Sequence, residues 1–122
     1  MTVHLSQRFE FSAPHTLHRP GQPDAEGSLR WHGHCYQVRV HLAGEPDPAT
    51  GMLVDLGELK RSLEAVRAQL HQTVLDEIPD MGPGTVENLS IWIWWRLADD
   101  WPALTRVDVG REAHGDMASY FG

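Results

Sequence analysis

Apolar and polar residues alternate along two stretches in the first third of the chain, which is the pattern of half-buried β-strands. The first stretch covers residues 2–12, and we predict that its strand ends at Pro14, because proline interrupts strand pairing. His15 would then lie just past the strand end. The second stretch begins at Trp31 and predicts a strand that runs to about Ala43.

Two later stretches carry apolar residues at helical spacing. Leucines and a valine recur every three or four residues between 56 and 72, and Asp55 precedes them as an N-cap candidate. Residues 89–98 are apolar on nearly every side and follow a second N-cap candidate, Thr85. Such a helix is buried on more than one side, so its spare face is expected to meet another subunit.

Alternation returns near the C-terminus, where we predict a strand over residues 104–112, a turn at 115–116 and a last strand over 118–121. The order strand, strand, helix, helix, strand, strand (ββααββ) predicts an α+β fold. This fold is a four-stranded antiparallel sheet with two helices on one face. A length of 122 residues fits one domain, so residues 1–122 are predicted to form a single unit.

Charge and composition narrow the range of partners and compartments. The net charge of −7, with histidines counted as neutral, argues against general nucleic-acid binding, which needs a basic face. No apolar run approaches the ~18 residues that a membrane span requires, and the N-terminus lacks a signal-peptide pattern. We therefore predict a cytoplasmic protein. Its single cysteine, Cys35, excludes an internal disulfide.

The most informative chemistry lies at His32 and His34. Residues two apart on a strand point the same way, so both imidazoles are predicted on one face of the second strand. Neutral imidazole is the commonest zinc ligand, and a catalytic zinc takes three protein ligands. The pair alone is weak, because eight histidines in 122 residues give about 0.5 His-x-His pairs from composition. A third ligand has to come from elsewhere in the sequence.

Five segments, in order along nearly the whole sequence, resemble one family. They are FSAPH at residues 11–15, HGHCY at 32–36, GMLVDL at 51–56, TVENL at 85–89, and Glu112 with Tyr120 eight residues later. The protein resembles the 6-pyruvoyl-tetrahydropterin synthase and 6-carboxytetrahydropterin synthase family, which has the tunnelling fold. The resemblance implies that the sheets of several subunits join into a barrel, as two trimers stacked into a homohexamer.

The resemblance supplies the third metal ligand. In the family, the histidine after the first strand joins the His-x-His pair. His15, His32 and His34 are therefore predicted to hold a catalytic Zn²⁺, with a fourth position left for a substrate oxygen.

The resemblance also implies where the pterin ring binds. Glu112 occupies the position of the family's anchoring glutamate, which accepts from the amino and imide N–H groups of the ring. A solvent-exposed glutamate at a strand end is the alternative. Thr85 and Glu87 match the helix start that borders the same pocket, and plain helix capping is an equal alternative for them.

The sequence departs from the family at its catalytic positions. The family's proton-accepting cysteine is replaced by Ser28, whose hydroxyl is a much weaker base than a thiolate. In the preferred ungapped alignment, His71 and Gln72 fall where the family has its aspartate and histidine, and a shift by one residue puts His71 at the histidine position instead. Ser28 and His71 are kept as the catalytic candidates, and His114 is a second candidate for moving a proton. An exposed histidine without a catalytic role is the alternative for both rings.

The resemblance thus implies a zinc-dependent carbon–carbon or carbon–oxygen lyase that acts on 7,8-dihydroneopterin triphosphate. The 6-carboxytetrahydropterin route, which leads to the 7-deazaguanine of queuosine, is slightly favoured over the biopterin route. The expected partners are a small-molecule pterin and further copies of the same protein, with no nucleic acid and no membrane. The alternatives are a catalytically divergent zinc- and pterin-binding protein, or a synthase with different pterin or purine chemistry.

Overall fold

The computed structural model describes the backbone of residues 1–16 and 31–122, and the side chains of residues 1–14 and 33–122. The elements in these ranges are β1 (Val3–Thr16), β2 (Trp31–Gly44), α1 (Leu56–Leu70), α2 (Val86–Leu97), β3 (Leu104–Arg111) and β4 (Asp116–Tyr120), with 3₁₀ turns at Leu75–Glu77 and Glu112–His114. The strands form one antiparallel sheet in the order β1-β2-β3-β4. The predicted α+β fold with its ββααββ order is confirmed.

β1 continues beyond its predicted end. Pro14 pairs with Gly33 and His15 pairs with His32, so the prediction that Pro14 ends the strand and leaves His15 outside it was wrong. The physical reason is that β1 is an edge strand of the described sheet. The N–H of Ser12, two residues earlier, points away from β2, and the proline nitrogen takes the same outward side. The N–H group that Pro14 lacks would point away from β2, so its absence removes no hydrogen bond between β1 and β2.

The turn before β4 depends on a glycine. After β3, the 3₁₀ turn Glu112–His114 ends at Gly115, whose φ of 72° lies in the left-handed region that glycine adopts without strain. β4 begins at Asp116, two residues before the predicted start, and Asp116 pairs with Arg111 across the hairpin.

Both predicted helix N-caps are present. Asp55 accepts hydrogen bonds from the backbone N–H groups of Gly57 and Glu58, at 2.8 and 3.1 Å. The hydroxyl of Thr85 accepts from the backbone N–H of Asn88 at 3.1 Å. Each cap satisfies N–H groups that the first helical turn cannot pair, which fixes where α1 and α2 begin.

The two helices cover one face of the sheet. The core combines alternate strand residues with the inner sides of α1 and α2, and its fully buried members include Phe11, Tyr36, Val38, Val40, Leu42, Leu59, Leu89, Ile93, Leu97 and Val107. On the outer side of α2, Ile91 and Trp95 are 39% and 63% exposed. This is the spare apolar face expected of α2, and its contact with another subunit stays a prediction. None of the described helices is long and apolar enough to cross a membrane.

The opposite face of the sheet is polar and centred on Asp108, which is 5% exposed. Its carboxylate accepts from the Ser119 hydroxyl at 2.6 Å and from Arg106 Nη2 at 2.9 Å, and it lies 2.7 Å from His41 Nε2. Burial of Asp108 opposes its ionisation, but the hydrogen bonds from Ser119, Arg106 and His41 outweigh burial and lower the pKa of the carboxyl. This network ties β2, β3 and β4 together.

Candidate metal and substrate site

Three histidine positions meet at one end of β1 and β2. His15 pairs directly with His32, and His34 pairs with the buried Ala13. Residues directly opposite each other, and residues two apart on one strand, share a face of a sheet. Positions 15, 32 and 34 therefore belong to the helix-covered face. The side chains of His15 and His32 lie outside the described part of the structure.

The His34 ring is half-buried among other rings. Its centroid lies 6.1 Å from that of Tyr36 and 5.3 Å from that of His114, with edge-to-face geometry in both cases. Tyr36 in turn stacks on Phe11 at 4.9 Å. Burial raises the pKa of the Tyr36 phenol, an effect that nearby Arg111 partly offsets. The His34 ring therefore packs against an uncharged aromatic side chain, and this contact limits its movement.

The histidine positions suit zinc. Three imidazoles on neighbouring strand positions are a ligand set of catalytic zinc, and they leave one coordination position open. Among the described side chains, no group of three or more His, Cys, Asp or Glu residues could hold a metal ion. Only His34 of the three predicted ligands has a described side chain, so the ligand set stays a prediction supported by backbone register.

A cavity of about 350 Å³ opens beside His34. Its lining includes Ser12, Pro14, Gly33 and Gln72, and at Gly33 a Cβ atom would meet nothing within 4 Å. Gln72 stands at the position where the family resemblance places a catalytic histidine. The fold thus brings that position into the same cavity as a predicted zinc ligand.

His71 has a structural partner that the sequence did not reveal. The ring lies just past the C-terminus of α1, and its Nδ1 accepts a hydrogen bond from the backbone N–H of Ser12 at 3.1 Å. In the neutral ring the proton then sits on Nε2, which is left as a donor. The catalytic role predicted for His71 stays a prediction, and only Nε2 remains for it.

Glu112 is held in place through its backbone. Its N–H donates to the side-chain oxygen of Gln37 at 2.8 Å, which attaches the 3₁₀ turn to β2 and leaves the Glu112 carboxylate exposed. Both residues border a second cavity of about 470 Å³, together with Arg8 and Arg39. Sequence reasoning missed Gln37, because strand alternation marks it only as a polar strand residue.

The remaining predicted positions divide into three cases. Thr85 lies at the N-cap of α2 and Glu87 in its first turn, so the hydroxyl of Thr85 already serves the helix. Their contact with substrate stays a prediction.

Cys35 is exposed and pairs with Ser12 on the face opposite His34, as expected from strand alternation. Ser28 lies outside the described residues.

The sequence is similar to a known family and to several known proteins. The family model "PTPS: 6-pyruvoyl tetrahydropterin synthase" matches residues 4–122. The human 6-pyruvoyl tetrahydrobiopterin synthase is 36% identical over 105 residues, which cover 76% of this protein and 72% of the human one. The Drosophila melanogaster protein of the same name is 36% identical over 102 residues, which cover 74% of this protein and 61% of the fly protein.

Solved structures agree with the sequence comparisons. The Caenorhabditis elegans 6-pyruvoyl tetrahydropterin synthase superposes with a TM-score of 0.86 at 28% identity, covering 100% of this protein and 96% of that one. The Plasmodium vivax enzyme superposes with a TM-score of 0.72 at 16% identity, covering 98% and 97%, which concerns the fold alone. The family resemblance found in the sequence is thereby confirmed, and the chain belongs to the 6-pyruvoyl tetrahydropterin synthase family.

Proposed function

We propose that this protein is a zinc-dependent lyase that acts on 7,8-dihydroneopterin triphosphate. The observation that carries the proposal is the direct pairing of His15 with His32, with His34 two residues along on the same face. This register offers three imidazole positions to one metal ion. The names of the human and nematode relatives support a reaction on a pterin.

In this proposal His15, His32 and His34 hold the zinc. When bound, zinc acts as a Lewis acid and makes the C–H groups next to the oxygens of the pterin substituent easier to deprotonate. The Glu112 carboxylate accepts from two N–H groups of the ring and sets its orientation. Thr85 and Glu87 border the ring pocket from the start of α2.

The triphosphate needs cations in a protein whose net charge is −7. Arg8 and Arg39 are directly paired across β1 and β2, and both are exposed in the cavity that Glu112 borders. Asp108 pairs with Arg39 on its other side and borders the same cavity, so one carboxylate already offsets part of their charge on the sheet face opposite the predicted zinc ligands. We propose these two arginines as contacts of the triphosphate.

Proton transfer is the least complete part of the site. Ser28 and His71 are the proposed catalytic residues, at the positions where the resemblance places a cysteine and an aspartate. His71 offers a proton at Nε2, since Nδ1 accepts from Ser12. This arrangement predicts slow proton removal, because the Ser28 hydroxyl is a weak base and the Nδ1 lone pair of His71 already accepts the N–H of Ser12.

Two product routes follow from the same substrate. The names of the relatives favour 6-pyruvoyl-tetrahydropterin, formed with loss of triphosphate. The second route is the one expected from the sequence, cleavage of the pterin substituent with consumption of water to give 6-carboxytetrahydropterin, acetaldehyde and triphosphate, on the way to queuosine. We further propose that the protein works in the cytoplasm as a hexamer, with its site at a subunit junction.

Product analysis tests the proposal. Purified protein is incubated with dihydroneopterin triphosphate and zinc, and pterin products, triphosphate and acetaldehyde are followed by chromatography. Acetaldehyde identifies the 6-carboxytetrahydropterin route, and a pyruvoyl product without acetaldehyde identifies the other. Glu112→Gln is the matched variant, since it keeps the shape but loses the charge that binds two N–H donors.

The main rival is a zinc- and pterin-binding protein without turnover. It predicts tight pterin binding in calorimetry, weakened by Glu112→Gln, and no product above the background without enzyme. A different pterin or purine substrate is the third possibility, and it predicts weak binding of dihydroneopterin derivatives.

A further inference from the structure

We propose that Gln37 is a positioning residue for the substrate ring, because its side chain fixes the backbone from which the Glu112 carboxylate extends. The inference rests on the proposed role of Glu112 in binding a pterin ring, and it adds the residue that holds Glu112 in place. Its basis is the hydrogen bond from the Glu112 N–H to Oε1 of Gln37 at 2.8 Å, which joins residues 75 positions apart.

The backbone N–H of Glu112 needs a partner from outside its own turn. Glu112 is the first residue of the 3₁₀ turn Glu112–His114, and the first N–H groups of a helical turn have no acceptor inside it. The side chain of the preceding residue often accepts such a group, but within the described structure Arg111 makes no capping hydrogen bond to this turn. Gln37 of β2 therefore takes the role of an N-cap residue.

The other peptide group of Glu112 is fixed by the turn itself. Its C=O accepts the N–H of Gly115 at 3.2 Å, and Gly115 ends the turn with a left-handed backbone. Together with the Gln37 contact, this bond fixes the peptide groups on both sides of the Glu112 Cα atom. Loss of the Gln37 oxygen would free the first of them and leave the second in place.

Gln37 is well placed to hold the turn, because its strand has a neighbour on each side. Gln37 pairs with Glu10 of β1 and with Gly110 of β3. Glu112 comes two residues after Gly110, and diagonal neighbours in a sheet lie about 7–8 Å apart, within reach of a long side chain. The Gln37 side chain thus ties the exposed turn to the centre of the sheet.

The position of the Glu112 backbone matters for recognition of the ring. A carboxylate that accepts two parallel N–H groups must present both oxygens in one orientation. The Glu112 side chain is exposed, so burial does little to fix it, and the backbone sets where it begins. A displacement of about 1 Å can weaken a positioned contact strongly. Without the Gln37 bond, the carboxylate should often meet one N–H of the ring and miss the other.

Calorimetry with 7,8-dihydroneopterin and the purified full chain tests this role without measuring turnover. Gln37→Met keeps the length of the side chain but removes the acceptor, and it should weaken binding roughly 5- to 10-fold, the effect of about one net hydrogen bond. Gln37→Glu keeps an acceptor oxygen at the same reach. It should bind within about threefold of the wild type in high salt, which screens the added charge.

Cys35→Ala is the matched control, because it removes the other contact of the same amide. The Cys35 sulfur lies 3.8 Å from Nε2 of Gln37 and takes no part in holding the turn. Cys35→Ala should therefore bind dihydroneopterin like the wild type. A loss in Gln37→Glu as large as that in Gln37→Met would show that the acceptor oxygen is not what matters, and would overturn the inference.

A double-mutant cycle separates positioning from a general structural role. Glu112→Gln leaves one uncharged acceptor oxygen, for which exact placement matters less. If Gln37 acts through the Glu112 carboxylate, Gln37→Met should weaken binding by less than about twofold in the Glu112→Gln background. A general structural role predicts the same loss in both backgrounds, and equal losses would overturn the inference.

The inference and the proposed function can fail separately. Wild-type affinity in Gln37→Met, beside a clear loss in Glu112→Gln, contradicts the inference alone. If Glu112→Gln binds dihydroneopterin as tightly as the wild type, or if the wild type does not bind it, both the inference and the proposed role of Glu112 are overturned.

Discussion

The backbone N–H of Ser12 donates a hydrogen bond to Nδ1 of His71 at 3.1 Å, and the N–H of the next residue, Gln72, donates back to the Ser12 carbonyl at 2.7 Å. The segment after α1 thus pairs with the outer edge of β1 as a short strand would. An edge strand has unpaired backbone groups, and this contact satisfies two of them. It also places Gln72 in the cavity beside His34.

The first prediction concerns this contact. His71→Ala removes the acceptor of the Ser12 N–H, and one net hydrogen bond contributes about 1 kcal/mol, so Tm should fall by about 4 °C. His71→Asn can accept at the Nδ1 position and should restore most of the loss. Thermal unfolding at one fixed protein concentration measures both. Equal Tm values for wild type and His71→Ala would show that the contact adds no stability.

The same two variants separate structure from chemistry at His71. Asparagine replaces the acceptor at Nδ1 but offers no proton-transfer group in place of Nε2. A turnover loss shared by both variants would therefore assign proton transfer to His71, while a loss in His71→Ala alone would assign a positioning role.

The second prediction concerns acid stability and Asp108. Its pKa is lowered in the folded protein, so the unfolded protein takes up the proton first as the pH falls. The stability that the carboxylate provides is complete above the ordinary Asp pKa of about 3.9 and is lost as the pH falls towards the lowered value. Asp108→Asn should cost about 2 kcal/mol at pH 7 and make the decline in Tm between pH 5 and pH 3 shallower.

The exposed Asp99→Asn is the control for this measurement, since it removes one carboxylate without touching the network. Its Tm profile should follow that of the wild type. If Asp108→Asn also follows the wild type in slope, the network does not control acid stability.

The third prediction concerns assembly. The outer edges of β1 and β4 are the two ends of the described sheet, and Trp95 and Phe121 are 63% and 66% exposed. Open edges and exposed aromatic rings are normally covered in a stable protein. We expect a hexamer of about 82 kDa, six times the 13.7 kDa subunit, in light scattering at micromolar concentration. A particle with the mass of one subunit across that range would contradict it.

Local patterns in the sequence predict the elements of this fold because each element carries its own signal. Asp55 and Thr85 mark the helix starts, and both caps are present at the predicted residues. The end of β1 was misjudged because the local sequence does not reveal that a strand lies at a sheet edge, where Pro14 costs no hydrogen bond.

Strand alternation predicted the His32 and His34 pair, the resemblance predicted the rest of the site, and the details depend on contacts between distant residues. Ser12 meets His71 across 59 positions, and Gln37 meets Glu112 across 75. Such contacts follow from strand register and helix packing, which no short window of sequence contains. The contact between the rings of His34 and His114 also joins distant residues, because β3 pairs with β2 and leads into the turn that carries His114.

The last prediction concerns the catalytic departures. The wild type should bind pterin well but turn it over slowly, because the proposed zinc and Glu112 would bind and polarise the substrate while Ser28 and His71 stand in place of the family's proton-accepting residues. General-base catalysis is typically worth 10²–10⁴-fold, which sets the size of the expected defect. Ser28→Cys alone should change little, since a thiol needs a basic partner to ionise.

The triple variant Ser28→Cys, His71→Asp and Gln72→His should raise the rate by roughly 10²-fold or more. The structure supports each change that lies in its described part. An aspartate at position 71 can still accept the N–H of Ser12, and Gln72 has a φ of 57°, a conformation that histidine adopts more readily than most residues. A histidine at 72 would also enter the cavity that His34 lines.

Steady-state product formation by wild type, Ser28→Cys and the triple variant measures the effect, with pterin affinity from calorimetry as the control for folding and binding. A restored rate at unchanged affinity assigns the departures to proton transfer. If the wild type already turns over as fast as the triple variant, the substitutions are not defects, and the proton must leave through another group near the predicted metal position. In that case His114 is the first residue to test, because its ring lies beside His34.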